Sequence, residues 1–279
     1  MPHIQSHPVF LTPQRMQPDY PLFIFLPGMD GTGQLLRTQT DGLEQAFDIR
    51  SLAIPTDDLT DWDVLTNRVV TLIQAEIEKS PGRLVYLCGE SFGGCLAMKV
   101  ALHSPHLFDR MILVNPASSF AARPWLTLGA QIGRWLPAPL FHLSSISLMP
   151  LLGNMERMAI ADRHAFYATV QSVPQETTLW RMLLLAEFQV SDIELRQLTL
   201  PILLLGSTGD RLLPSVEEVY RLARIFPNSQ AIVLPGSGHA CLLEANINLY
   251  EILENHDFLP ATKAPRQAAS PVASLPEDC

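Results

Sequence analysis

Short apolar runs alternate along this chain with longer stretches whose apolar residues recur at helical spacing, and that alternation constrains its fold more than any other feature. It is the pattern of a parallel sheet covered by helices on both faces. Strands are expected at residues 22–26, 47–52, 84–88, 111–114, 202–205 and 231–234, each ending near Gly, Pro or Asn. Helices are expected at about 62–79, 92–102, 215–225 and 242–253. In the first of these, Val64, Leu65, Val69, Leu72, Ile73 and Ile77 recur at helix spacing, so it should pack on the sheet and carry no chemistry.

The rhythm breaks between about 117 and 198, which reads as helices without strands. Trp125, Trp135 and Trp180, three of the four tryptophans, lie there, and Arg123 and Arg134 are the only charged residues from Ala117 to Met155. A helical insertion at this point would stand above the carboxyl ends of the strands, where open α/β sheets bind ligands. The expected organisation is an N-terminal extension (1–20), a first core part (21–116), a helical cap (117–198), a second core part (199–255) and a mobile tail (256–279).

Composition narrows the function classes. A net charge of −9 on 279 residues opposes nucleic acid, whose phosphates would be repelled. Cys88, Cys95, Cys241 and Cys279 show no C-x-x-C spacing, which argues against a disulfide framework or zinc site and for a reducing compartment. The first twenty residues lack a signal-peptide core and are broken by prolines. Residues 125–152, the nearest candidate for a membrane span, are interrupted by Pro137, Pro139 and Pro150 and contain Arg134 and His142. A cytoplasmic protein is expected, with weak peripheral contact to an internal membrane through the cap as a further expectation. No metal or organic cofactor is implied.

The chemistry points to residues 88–97, CGESFGGCLA. Ser91 stands at G-x-S-x-G spacing between an expected strand and an expected helix, the setting of a nucleophile elbow. Gly89, Gly93 and Gly94 would remove Cβ atoms that collide in so sharp a turn, and the helix N-terminus would point free N–H groups at developing negative charge. A serine hydroxyl needs a base. His3 and His7 lie near the start, His103 and His106 at a helix end, His142 and His164 in the cap and His256 in the tail. His239, in LPGSGHACL, follows the last strand on a loop that Gly236 and Gly238 let turn tightly, and it is the expected base.

The orienting acid should follow a strand between the two. GSTGDRLLP after the fifth expected strand supplies Asp210, with Asp162, Glu187 and Asp192 as alternatives from the cap. An oxyanion hole would combine the N–H of Phe92 with that of Met29, in the loop FLPGMDGTG, where Gly28, Gly31 and Gly33 allow close backbone approach. One such donor contributes roughly 3–4 kcal/mol to transition-state stabilisation. A phosphate-binding loop is disfavoured, because PGMDGTG lacks G-x-G-x-x-G spacing and no P-loop Lys follows.

The order Ser91, Asp210, His239 across residues 20–255 resembles the α/β-hydrolase superfamily. Pro27 stands where the common H-G-x-x-G-[ST] pattern has His. More narrowly, FLPGMDGTG, GESFGG, LVNPASSF and GDRLLPS look like the hydrolase portion of plant phytyl ester synthases and their cyanobacterial relatives. That resemblance implies lipid or isoprenoid ester chemistry. The plant proteins carry a second, acyltransferase-like domain for which the residues after His239 leave no room, which puts the synthase activity in question. The expected activity is serine-dependent hydrolysis of a small-molecule or lipid-like carboxylic ester, with acyl transfer to an alcohol such as phytol, or a non-catalytic binding role, as alternatives. Epoxide opening and dehalogenation usually need an Asp nucleophile and are disfavoured by Ser91.

Overall fold

The computed structural model describes residues 7–260; the readings above that concern His3, most of the tail and Cys279 lie outside them. Seven strands form one sheet: β1 (Val9–Leu11), β2 (Leu22–Leu26), β3 (Asp48–Ala53), β4 (Val85–Glu90), β5 (Arg110–Val114), β6 (Ile202–Ser207) and β7 (Ser229–Leu234). Their order is β1-β3-β2-β4-β5-β6-β7, all neighbours parallel except the β1–β3 pair. The described helices are α1 (Thr40–Leu43), α2 (Trp62–Lys79), α3 (Phe92–His103), α4 (Pro124–Gly133), α5 (Ala138–Ser147), α6 (Met149–Leu152), α7 (Ile160–Ser172), α8 (Gln175–Ala186), α9 (Asp192–Leu195), α10 (Ser215–Ala223) and α11 (Leu249–Asn255).

The central strands are apolar along their whole length because helices cover both faces. Side chains alternate across the sheet with period two. Leu22, Ile24 and Leu26 of β2 join the core under α2, α3 and α10, and Phe23 and Phe25 join the opposite core with Leu249 and Leu253 of α11. The Asp61 side chain accepts a hydrogen bond from Val64 N and starts α2 where the pattern predicts it.

The N-terminal extension adds a strand that was not among those expected: β1 pairs Val9 with Ala53 and Leu11 with Ser51 on β3, and Gln17 N donates to Asp48 Oδ1. Two expectations are corrected. Residues 242–253 are not one helix. A 3-10 turn at Cys241–Leu243 comes first, and α11 begins only at Leu249, where the Asn248 side chain accepts from Glu251 N. The chain also stays packed past 256, since Phe258 is buried with its ring edge-on to Tyr86 and Arg110 over its face.

From β2 the chain steps to β3 on one side and then to β4 on the other. The carboxyl ends of β2 and β4 therefore flank a topological switch point, the crevice where open α/β sheets take ligands. Helices α4 to α9 lie between β5 and β6 in the sequence.

Candidate active site

Ser91 sits at the junction of β4 and α3 with φ 53° and ψ −114°. A non-glycine residue holds such angles only where its surroundings over-determine them. Here Ser91 N donates to Val114 O, and Ser91 O accepts from Gly94 N and Ala117 N. The turn packs so closely that a Cβ on Gly93 would lie 2.0 Å from Leu26 O, and one on Gly89 2.2 Å from Gly93 O. Phe92 stacks on Trp62 at 4.7 Å between ring centroids, and the Trp62 indole N–H donates to Leu184 O of α8. The helix expected to carry no chemistry thus supplies the ring against which the elbow rests.

The structure brings Ser91, His239 and Asp210 together. Ser91 Oγ lies 2.8 Å from His239 Nε2, and His239 Nδ1 lies 2.6 Å from Asp210 Oδ2. The Asp210 carboxylate also accepts from Leu212 N, Leu213 N and the Ser215 hydroxyl, which fixes its plane. Asn115, with φ 42° after β5, donates to His239 O and Ser207 Oγ and accepts from Ser207 N, tying the histidine loop to β6. Asp162 pairs with Arg37 and Asp192 with Arg221, so neither serves His239.

Burial pushes the Asp210 carboxyl up, but the His239 charge and the hydrogen bonds outweigh it, and its pKa is lowered. Burial pushes the His239 imidazole down; Asp210 outweighs that as well, and its pKa is raised. The pair favours a charged imidazole facing a charged carboxylate, the state a base needs after taking a proton.

The loop after β2 lies beside the elbow: a Cβ on Gly28 would meet the Ser91 Cβ at 3.8 Å, an ordinary contact. Among the described residues, nothing accepts a hydrogen bond from the N–H of Met29 or Phe92. The loop is held from behind by Arg181 of α8, whose side chain is buried and donates to Met29 O and Pro55 O. Gly31 has φ +68°, and a Cβ there would lie 2.5 Å from Arg181 Nη1. The Asp30 carboxylate accepts from Thr32 N and Oγ1; burial raises its pKa against those bonds and the Arg181 charge.

Above the elbow opens a cavity of about 430 Å³, of a size usual for small-molecule sites. Its walls are chiefly apolar, with Leu126, Ile132, Phe141, Phe166, Leu179 and Met182 from α4, α5, α7 and α8. The polar groups at its floor are Ser91, His239, Asp30 and Glu90. Burial raises the Glu90 pKa to about 8, the Asp30 charge adding to the rise and His239 opposing it.

Sequence reading missed Arg181, Glu90, Asn115 and Ser215. Asn115 left a trace in LVNPASSF and Glu90 in GESFGG, whereas nothing near Arg181 in sequence marks it as a partner of residue 29.

A family model described as serine aminopeptidase, S33, matches residues 57–246. Phytyl ester synthase 1, chloroplastic, of Arabidopsis thaliana is 31% identical, the match covering 88% of this chain and 40% of that protein. Pimeloyl-[acyl-carrier protein] methyl ester esterase of Vibrio parahaemolyticus is 29% identical over 59% of this chain and 66% of its own length. The chain spans about two fifths of the plant relative it matches. The solved structure of MenH from S. aureus superposes with a TM-score of 0.73 at 15% identity, covering 90% of this chain and 97% of that one.

Proposed function

The chain belongs to the serine aminopeptidase S33 family of α/β-hydrolases, and on that premise we propose that it is a serine hydrolase of lipid-like carboxylic esters working through an acyl-enzyme. The observation that carries this reading is the unbroken hydrogen-bonded chain from Ser91 through His239 to Asp210 at the floor of an apolar cavity. His239 Nε2 takes the Ser91 proton as Oγ attacks the acyl carbonyl, and Asp210 holds the resulting imidazolium. The N–H groups of Met29 and Phe92 receive the oxyanion. His239 then hands its proton to the leaving alcohol, and water, activated by the same imidazole, releases the acyl group and restores Ser91.

Helices α4 to α8 act as the cap, and their apolar inner faces suit an acyl or isoprenoid chain. A second reading, transfer of the acyl group to an alcohol, draws on the likeness to the phytyl ester synthases and on the apolar walls of the cavity, which disfavour water. The test is hydrolysis of p-nitrophenyl esters of increasing acyl length, with products identified by mass spectrometry in the presence and absence of phytol. A rate that peaks at long chains, with free acid as product, is expected. Phytyl ester forming in preference to acid would favour transfer, and a folded protein inert on every ester would overturn both.

A further inference from the structure

Glu90 is the last residue of β4 and the neighbour of Ser91. It is 6% exposed and lines the cavity floor. Two other acids beside the elbow are hydrogen-bonded: Asp210 by four groups and Asp30 by two. Among the described residues, no donor or acceptor reaches the Glu90 carboxyl, yet neither of its oxygens is sealed off inside the protein. Because those oxygens open onto the cavity, a polar group on a molecule that enters it can satisfy them.

We propose that the Glu90 carboxyl is the hydrogen-bonding partner of a hydroxyl group on the molecule that enters the cavity, making this the polar subsite for an uncharged aliphatic alcohol or an ester that keeps a free hydroxyl. The inference rests on the reading that the cavity takes the substrate. Three features select a hydroxyl. The walls above are apolar, so the remainder of the ligand is a hydrocarbon. Asp30 lies on the same floor, and an anion bound there would face its carboxylate without a cation beside Glu90 to offset it. Glu90 is protonated near neutral pH, offering one donor and one acceptor, which a hydroxyl complements in both senses. An ammonium group would first have to ionise Glu90 in an apolar setting and then lose its own water.

The test needs no turnover. Octan-1-ol, nonane and octylamine are titrated into the full chain carrying Ser91→Ala, with binding followed by tryptophan fluorescence, since Trp125 lines the cavity. Replacing Glu90 by Leu is expected to weaken octan-1-ol and tighten nonane, moving the ratio of their Kd values by tenfold or more. Glu90→Gln, which retains a donor and an acceptor, should keep the ratio within about threefold of the parent. Glu90→Met serves as the apolar variant if Glu90→Leu does not fold. A ratio unchanged by either apolar variant overturns the proposal, as does octylamine binding that depends on Glu90 more than octan-1-ol binding does. Because binding is read without catalysis, failure of the hydrolase reading would leave these outcomes intact.

Discussion

The sheet and the helices between β5 and β6 treat their apolar residues in opposite ways. All five side chains of β2 are fully buried, each packed against helices on one face or the other. On α4 and α5 the inner faces line the cavity, while Leu128, Leu140 and Leu143 face outward, and Trp135, just past α4, is 77% exposed. Where α3 leaves the sheet at Gly93, there is no room even for a methyl group beside Leu26 O. The helical segment instead surrounds space. In the proposed function the difference separates two tasks: the sheet and its turns hold the reacting groups, and the inserted helices select what reaches them.

Gly93→Ala bears hardest on the rigid junction of sheet and helix. Its methyl would collide with Leu26 O, backbone that cannot yield without shifting β2. A stability loss of about 3–5 kcal/mol or outright failure to fold is expected, read by urea unfolding. Tolerance of this change would mean that the elbow is not rigid.

An intermediate effect concerns pH. In the proposed mechanism the base must be neutral to accept the Ser91 proton, and the folded His239 pKa is raised, Asp210 outweighing the effect of burial. Activity should therefore climb as pH rises through a value above that of an ordinary histidine. The stability that the His239–Asp210 attraction adds is fully present below the unfolded histidine value and is lost as pH rises through the folded one. In Asp210→Asn the acid limb of the residual activity should move to lower pH, and a limb that stays in place would remove Asp210 from this role.

The smallest effect is expected at Trp135→Ser, on the outer side of the inserted helices. Unfolding stability should change by no more than about 0.5 kcal/mol. Flotation of this variant with vesicles of anionic phospholipid measures whether the outward apolar face meets lipid. Weaker flotation than the parent chain would give the outward apolar face a role at lipid surfaces, and equal flotation would deny it one.

The features legible in the sequence were those fixed by local pattern. Buried parallel strands are continuous apolar runs, so 22–26 coincides with β2, and the 3.6-residue period of 62–79 coincides with α2. β1 escaped because VFL is three residues long and becomes a strand only through its distant partner β3. The helix expected from Leu242 was misplaced because its leucines keep helical spacing across a loop that ends at the Asn248 cap. At the site, Ser91, Asp210 and His239 could be picked out because each follows a recognisable strand in a fixed order. Arg181 could not, since its contact with Met29 spans 152 residues and depends on how α8 lies over the loop. Glu90 was visible as a letter, but its missing partner is a fact of three-dimensional surroundings alone.

The most direct measurement is covalent trapping of Ser91. The protein is treated with a long-chain fluorophosphonate, digested and read by mass spectrometry. A single phosphonylated peptide carrying Ser91 is expected, formed with loss of activity and absent in Ser91→Ala. Labelling of a different residue, or no labelling of a protein that still hydrolyses esters, would contradict it.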